Sequence, residues 1–131
     1  MSLVMEFDPK NKILRLTIDG PLTDAIVFGI FEAAGRYASS HPPCRSITDL
    51  SKVTANEISS DAIRQMAKAP APAPALTRVV VAAKDHSYAM ARMFQMLSEE
   101  TRPNFHVVHT MEEAYDLLGV VSPEFSPVVS E

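Results

Sequence analysis

Thr77-Arg-Val-Val-Val-Ala-Ala83 is apolar without interruption from Val79 onward, and a strand of that kind has no face to give to water. It predicts a parallel strand in the middle of a sheet with helices on both sides, which places the chain in the α/β class. The segments around it agree. Upstream, Ala69-Pro-Ala-Pro-Ala-Pro-Ala75 favours polyproline II and reaches about 20 Å at ~3.1 Å per residue, a stiff strap between helix and strand. A peptide for a proline-binding domain is the other use of such a run. Before the strap, Ser59 or Ser60 opens a helix to about Lys68, and before that the strand Ser46 to Leu50 runs into Asp49-Leu-Ser51. Downstream follow a helix from Ser87 to about Glu100, a strand from Asn104 to His109, and a helix opened by Thr110-Met-Glu-Glu113, a capping box.

The N-terminal part reads as a hairpin. Val4 to Phe7 and Lys12 to Ile18 are β-type runs joined by Asp8-Pro-Lys-Asn11, in which proline presets φ and Asp and Asn bond the local backbone. In the second run Leu14, Leu16 and Ile18 alternate with Ile13, Arg15 and Thr17, so one face is wholly aliphatic and buried. Gly20-Pro21-Leu22 then breaks the strand, Thr23 or Asp24 caps an amphipathic helix to about Ala38, and His41-Pro-Pro43 ends it. The expectation is an α/β fold: a mixed sheet, N-terminal hairpin plus parallel strands with right-handed crossovers, covered by about four helices. Residues 1–119 form a single domain and 120–131 a C-terminal tail whose Phe125, Val128 and Val129 dock on the body.

With 131 residues the chain buries roughly two-thirds of its unfolded surface without disulfides or metals. A net charge of −4, with twelve scattered Lys and Arg, attracts neither nucleic acid nor anionic membranes. The single cysteine, Cys44, excludes an intrachain disulfide and a multi-cysteine zinc site and fits a reducing compartment. No apolar run approaches the ~18 residues of a membrane span, and Met1 to Glu6 lacks a signal-type start. These features predict a cytoplasmic protein.

In open parallel sheets ligands lie beyond the carboxyl ends of the strands. The residues expected on that rim are Asp49, Ser51, Asp85, His86, Tyr88 and His109. Hydroxyls and helix starts there hold an anion or simply cap helices, and each Ser or Thr alone favours the cap. Elsewhere the chemistry is thin. Cys44 and His41 lack Gly-rich oxyanion donors beside them; His106 and His109 point to opposite faces of a strand and share no metal; and neither a carboxylate dyad nor a Gly-rich phosphate loop is present. No metal, cofactor or enzymatic activity is expected. The helix from Ser87 is different: Met90, Met93, Phe94 and Leu97 belong to an apolar arc wider than one sheet contact requires, and methionine suits adaptable surfaces. Core packing is one reading of that arc, an apolar ligand pocket or an association surface the other.

Ile13-Leu-Arg-Leu-Thr-Ile-Asp-Gly-Pro-Leu-Thr23, Thr48-Asp-Leu-Ser51, Asp85-His-Ser-Tyr-Ala-Met-Ala-Arg-Met-Phe94 and Glu112-Glu-Ala-Tyr-Asp-Leu-Leu118, taken in order, resemble the SpoIIAA-like branch of the STAS superfamily, the fold of anti-sigma-factor antagonists. The resemblance covers residues 4–119. It implies a STAS-type fold, related in shape to lipid-carrying CRAL-TRIO domains, and a non-enzymatic regulatory module that docks a protein partner or a second copy of itself. The alternative it implies is a carrier of a small apolar, lipid-like ligand under the Met-rich helix. In the phosphoswitch members an Asp-Ser-Ser-Gly sequence carries the modified serine; Ser59 and Ser60 are the corresponding phosphorylation candidates, here between Ile58 and Asp61. Asp61 repels an added phosphate of about −2 charge, and the helix N-terminus partly offsets that.

Overall fold

In a computed structural model, which describes residues 2–128, strands and helices alternate as β1 (Ser2–Asp8), β2 (Ile13–Thr23), α1 (Asp24–Ser40), β3 (Arg45–Glu57), α2 (Ser60–Lys68), β4 (Arg78–Val81), α3 (Asp85–Leu97), β5 (Phe105–Val108), α4 (Met111–Leu118) and β6 (Ser126–Pro127). The six strands form one mixed sheet in the order β5-β4-β3-β2-β1-β6. β2 to β5 are parallel neighbours, whereas β1 pairs antiparallel with β2 and with β6. The α/β reading and the four helices are as expected from sequence. β4 is interior, flanked by β3 and β5, but the middle of the sheet falls between β3 and β2, because the hairpin and β6 extend the other side.

Period-two alternation divides the core. Leu14, Leu16, Ile18, Leu50 and Val80 meet α1, α2 and α3 on one face. Ile13, Ile47, Val79 and Val81 meet Ala114 and Leu118 of α4 on the other. The mixed face of β2 carries Arg15, which pairs with Glu6 at 2.8 Å and stacks on Phe125 at 4.0 Å. Phe125 and Val128 of the tail thus dock as expected; Val129 lies outside the described residues.

Two strand ends and the strap depart from the sequence reading. β2 continues through Gly20-Pro21-Leu22 to Thr23, because Gly20 takes φ 107° and the register with β3 shifts between Gly20 and Pro21, a bulge at which the missing proline N–H costs nothing. β3 runs to Glu57 instead of Leu50, since β2 supplies it with a parallel partner as far as Thr23↔Glu57. The strap is not straight. Ala73 sits in the left-handed region at φ 46°, and the Leu76 N–H donates to the Ala73 carbonyl at 3.1 Å, folding the segment into a turn.

The helix starts follow capping chemistry. Thr23, Ser59 and Thr110 accept from Ile26, Ala62 and Glu113 N–H groups at 3.3, 3.1 and 3.1 Å. α3 begins at Asp85, two residues early, without a side-chain cap, and ends at Leu97. No helix among the described residues is long and apolar enough to cross a membrane.

Candidate functional site

Two cross-strand rows make the floor of a cavity. Leu14, Ser46, Arg78 and Phe105 stand side by side across β2, β3, β4 and β5, and Leu16, Thr48 and Val80 form the next row on the same face. Serine and threonine occupy places where large aliphatics would fill the space. α1 passes above with Val27, Ile30 and Phe31, and beside them the small Ala34, Gly35 and Ala38; a Cβ on Gly35 would meet nothing within 4 Å. Met90, Ala91 and Phe94 of α3 close one side, and Ala69 to Ala73 with Leu76 close another. The space left is about 570 Å³, within the range of small-molecule sites. Its exposed lining residues, Glu32, Pro42, Pro43, Pro70 and Pro72, mark a mouth between the end of α1 and the strap.

Polar groups converge on this apolar chamber. Arg78 donates through Nη1 to the carbonyls of Ala73 and Leu76 at 3.1 and 3.2 Å, and through Nη2 to that of Pro72. Arg102 is buried beside the Phe31 and Phe94 rings, with Cζ 5.2 and 5.4 Å from their centroids, and its Nη1 donates to the Ala69 carbonyl at 3.1 Å. These two side chains tie down a strap whose prolines have no N–H of their own. Burial lowers the pKa of both arginines, and the positive charge of Arg78 adds to the effect on Arg102; a guanidinium stays charged all the same. Neither forms an ion pair among the described residues.

Cys44 lines the same cavity. Burial raises its pKa, against the opposing pull of the Leu14 N–H and the Arg78 charge, so the thiol stays protonated at neutral pH. His41 does not engage it: the His41 ring stacks on Tyr37 at 3.9 Å and its Nδ1 lies 3.1 Å from the Tyr37 carbonyl. Tyr37 is buried, and that burial, with a smaller contribution from Cys44, raises its own pKa.

The rim residues lie elsewhere. Because β3 continues past the end of β4 with β2 beside it, Asp49 and Ser51 sit within a strand, Asp49 being level with Val81 and accepting from the Ser51 N–H at 2.9 Å. Tyr88 stacks on His109 at 4.1 Å, His86 offers its carbonyl to Asn56 Nδ2 at 3.3 Å, and Asp85 is exposed at the start of α3. None of these six lines the cavity. Ser59 is joined to α1: its N–H and Oγ donate to the Asp24 carboxylate, both at 2.7 Å. Ser60 is exposed beside it.

Of the four α3 residues assigned to an apolar surface, Met90 and Phe94 line the cavity, Met93 packs on the core around it, and Leu97 is 46% exposed. The opening lies chiefly beneath α1, with the Met-rich helix as a side wall. Arg78, Arg102, Ser46 and Thr48 were not singled out from sequence. Arg78 had a signal, since the residue two before Val80 must share its face. His106 bonds Asn104 at 2.9 Å, and no group of three or more metal-ligating side chains occurs among the described residues. Comparison with models of protein families and with curated proteins gave no match.

Proposed function

We propose that this chain is a non-enzymatic carrier of a small apolar, lipid-like ligand, held between α1 and the sheet in a reducing compartment such as the cytoplasm. The observation behind this reading is the 570 Å³ chamber, open on one side and lined mainly by aliphatic and aromatic side chains. A protein interior ordinarily packs without voids much larger than a water molecule, so space on this scale has a use. The chamber also accounts for the wide apolar arc of α3, since Met90 and Phe94 serve the sheet and the cavity together. The SpoIIAA-like resemblance implies an apolar ligand as the alternative to a docked protein partner.

Native mass spectrometry of the freshly purified chain, followed by solvent extraction, tests the reading. A bound amphiphile is expected, and Ala34→Leu, which fills the chamber from α1, should lower its occupancy. Absence of any co-purified ligand, together with no uptake of added dodecanol, would remove the carrier.

Docking of a protein partner or of a second copy has less behind it, since only Leu97 of its four proposed residues is exposed. Phosphorylation at Ser59 would set a charge of about −2 against the Asp24 carboxylate that its hydroxyl now holds. A modification there would part α1 from α2. Ser60 has no such partner, and incubation with kinases followed by mass spectrometry separates the two sites.

A further inference from the structure

The chamber proposed as the ligand site holds uncompensated positive charge. Among the described residues its one lining carboxylate, Glu32, is exposed and already paired with Arg36. Arg102 is only 6% exposed. Its Nη1 is occupied by the carbonyls of Met66 and Ala69, at 3.4 and 3.1 Å, and by Thr101 Oγ1 at 3.0 Å. Its Nε and Nη2 make no hydrogen bond among the described residues and are not sealed from all space; the side chain lines this chamber and, on its other side, a shallower hollow with Arg92, Glu99 and His106, none of which pairs with it. Phe31 and Phe94, which flank the guanidinium, both line the chamber.

An unpaired buried cation is strongly unfavourable. Cation–π contact with two rings compensates only part of it. Arg78 adds a second charge in the same chamber, and the two arginines repel. The Ser46 and Thr48 hydroxyls on the floor also make no hydrogen bond among the described residues, and Ser46 stands directly beside Arg78. The free edge of a guanidinium presents parallel N–H groups at the spacing of two oxygens on one carboxylate or phosphate. Polar donors thus cluster at one part of an otherwise apolar space.

We propose that the occupant is a single-chain amphiphile whose oxyanion headgroup, a carboxylate or a phosphate, pairs with the free edge of Arg102 under the added charge of Arg78, its hydrocarbon chain lying against Leu14, Leu16 and Ile30. This inference rests on the carrier reading above and adds the headgroup to it.

Isothermal titration of the full chain with dodecanoate, dodecyl phosphate and dodecanol, each below its micelle concentration, tests it. At least one of the two anions is expected to bind about ten-fold or more tightly than the alcohol, and the tighter of the two identifies the headgroup. Arg102→Gln keeps a donor for the strap carbonyls and removes the charge; it should bring both anions down to the affinity that the same variant shows for dodecanol. Equal binding of all three ligands to the unaltered chain would overturn the headgroup pairing and leave the carrier intact. A preference that survives in folded Arg102→Gln would overturn the role of Arg102. Failure of all three to bind would remove the carrier and the headgroup together. If the variant does not fold, the comparison of anion with alcohol on the unaltered chain decides alone.

Discussion

The two faces of the sheet are built from the same strands and packed to different ends. Under α4, Ile13, Ile47, Val79 and Val81 are at most 1% exposed and close against Ala114, which is fully buried. Under α1, the rows Leu14-Ser46-Arg78-Phe105 and Leu16-Thr48-Val80 leave about 570 Å³. One face is filled; the other keeps a hollow lined by two arginines. Substitutions under α4 are therefore expected to cost stability, and substitutions that line the chamber under α1 to cost binding.

That division can be broken by mutation. Ile47→Ala should cost about 2–5 kcal/mol, the largest effect here, read as a fall in denaturant midpoint, because the α4 face cannot collapse around the loss. A pair of identical substitutions is more discriminating. Ala114→Leu should cost about 1–3 kcal/mol by overpacking, whereas Ala34→Leu, pointing into the chamber, should leave the midpoint unchanged or raised while lowering ligand uptake. Equal losses from the two would dissolve the distinction between the faces.

Smaller effects test what holds the hollow side together. Ser59→Ala removes the cap of α2 and the Oγ bond to Asp24 while keeping the backbone one, and should cost about 1 kcal/mol; bound ligand should recover part of that by stabilising the folded state. Cys44, whose pKa burial raises, should react with iodoacetamide more slowly than a free thiol at pH 8, with the rate rising at higher pH than for free cysteine. Occupancy of the chamber by dodecanol should slow it further.

A control lies on neither face. Asp8 is fully buried and accepts from Lys10 N–H, Asn11 N–H and Asn11 Nδ2 at 2.9, 3.2 and 2.7 Å. Burial pushes its pKa up, but these bonds and one from the Glu124 N–H outweigh that and hold it below the usual carboxylate value. A folded pKa below the unfolded one gives stability that is present above the unfolded pKa, about 4, and is lost as pH falls through the folded value. Melting temperature should thus drop more steeply below about pH 4 for the natural chain than for Asp8→Asn, with no change in the relative behaviour of the two faces.

Local chemistry was the legible part of this fold. Thr23, Ser59 and Thr110 announce helix starts because a short oxygen-bearing side chain there satisfies an N–H that the helix leaves open. Alternation in Leu14-Arg15-Leu16 exposes which face of β2 is buried. What stayed hidden depends on distant segments. The length of β3 comes from β2, which partners it up to Glu57. Arg102 sits in Thr101-Arg-Pro-Asn104, which reads as a solvated loop; its burial is made by Phe31 of α1 and by the carbonyls of Met66 and Ala69, contributed from more than thirty residues away. A cavity is the sum of what several elements fail to fill, and no single stretch records it.

The short strand β6 bears on how copies of this protein behave when crowded. By lying along β1 through Glu6↔Pro127 and Phe7↔Ser126, with the Val128 N–H on the Met5 carbonyl at 2.9 Å, it occupies a hydrogen-bonding margin that would otherwise accept a strand from a neighbour. Pro127 has no N–H to offer outward, and the opposite margin, β5, is four residues long. Both borders are poor templates for strand addition, so concentrated solutions should resist fibril growth, and self-assembly would have to proceed through helices.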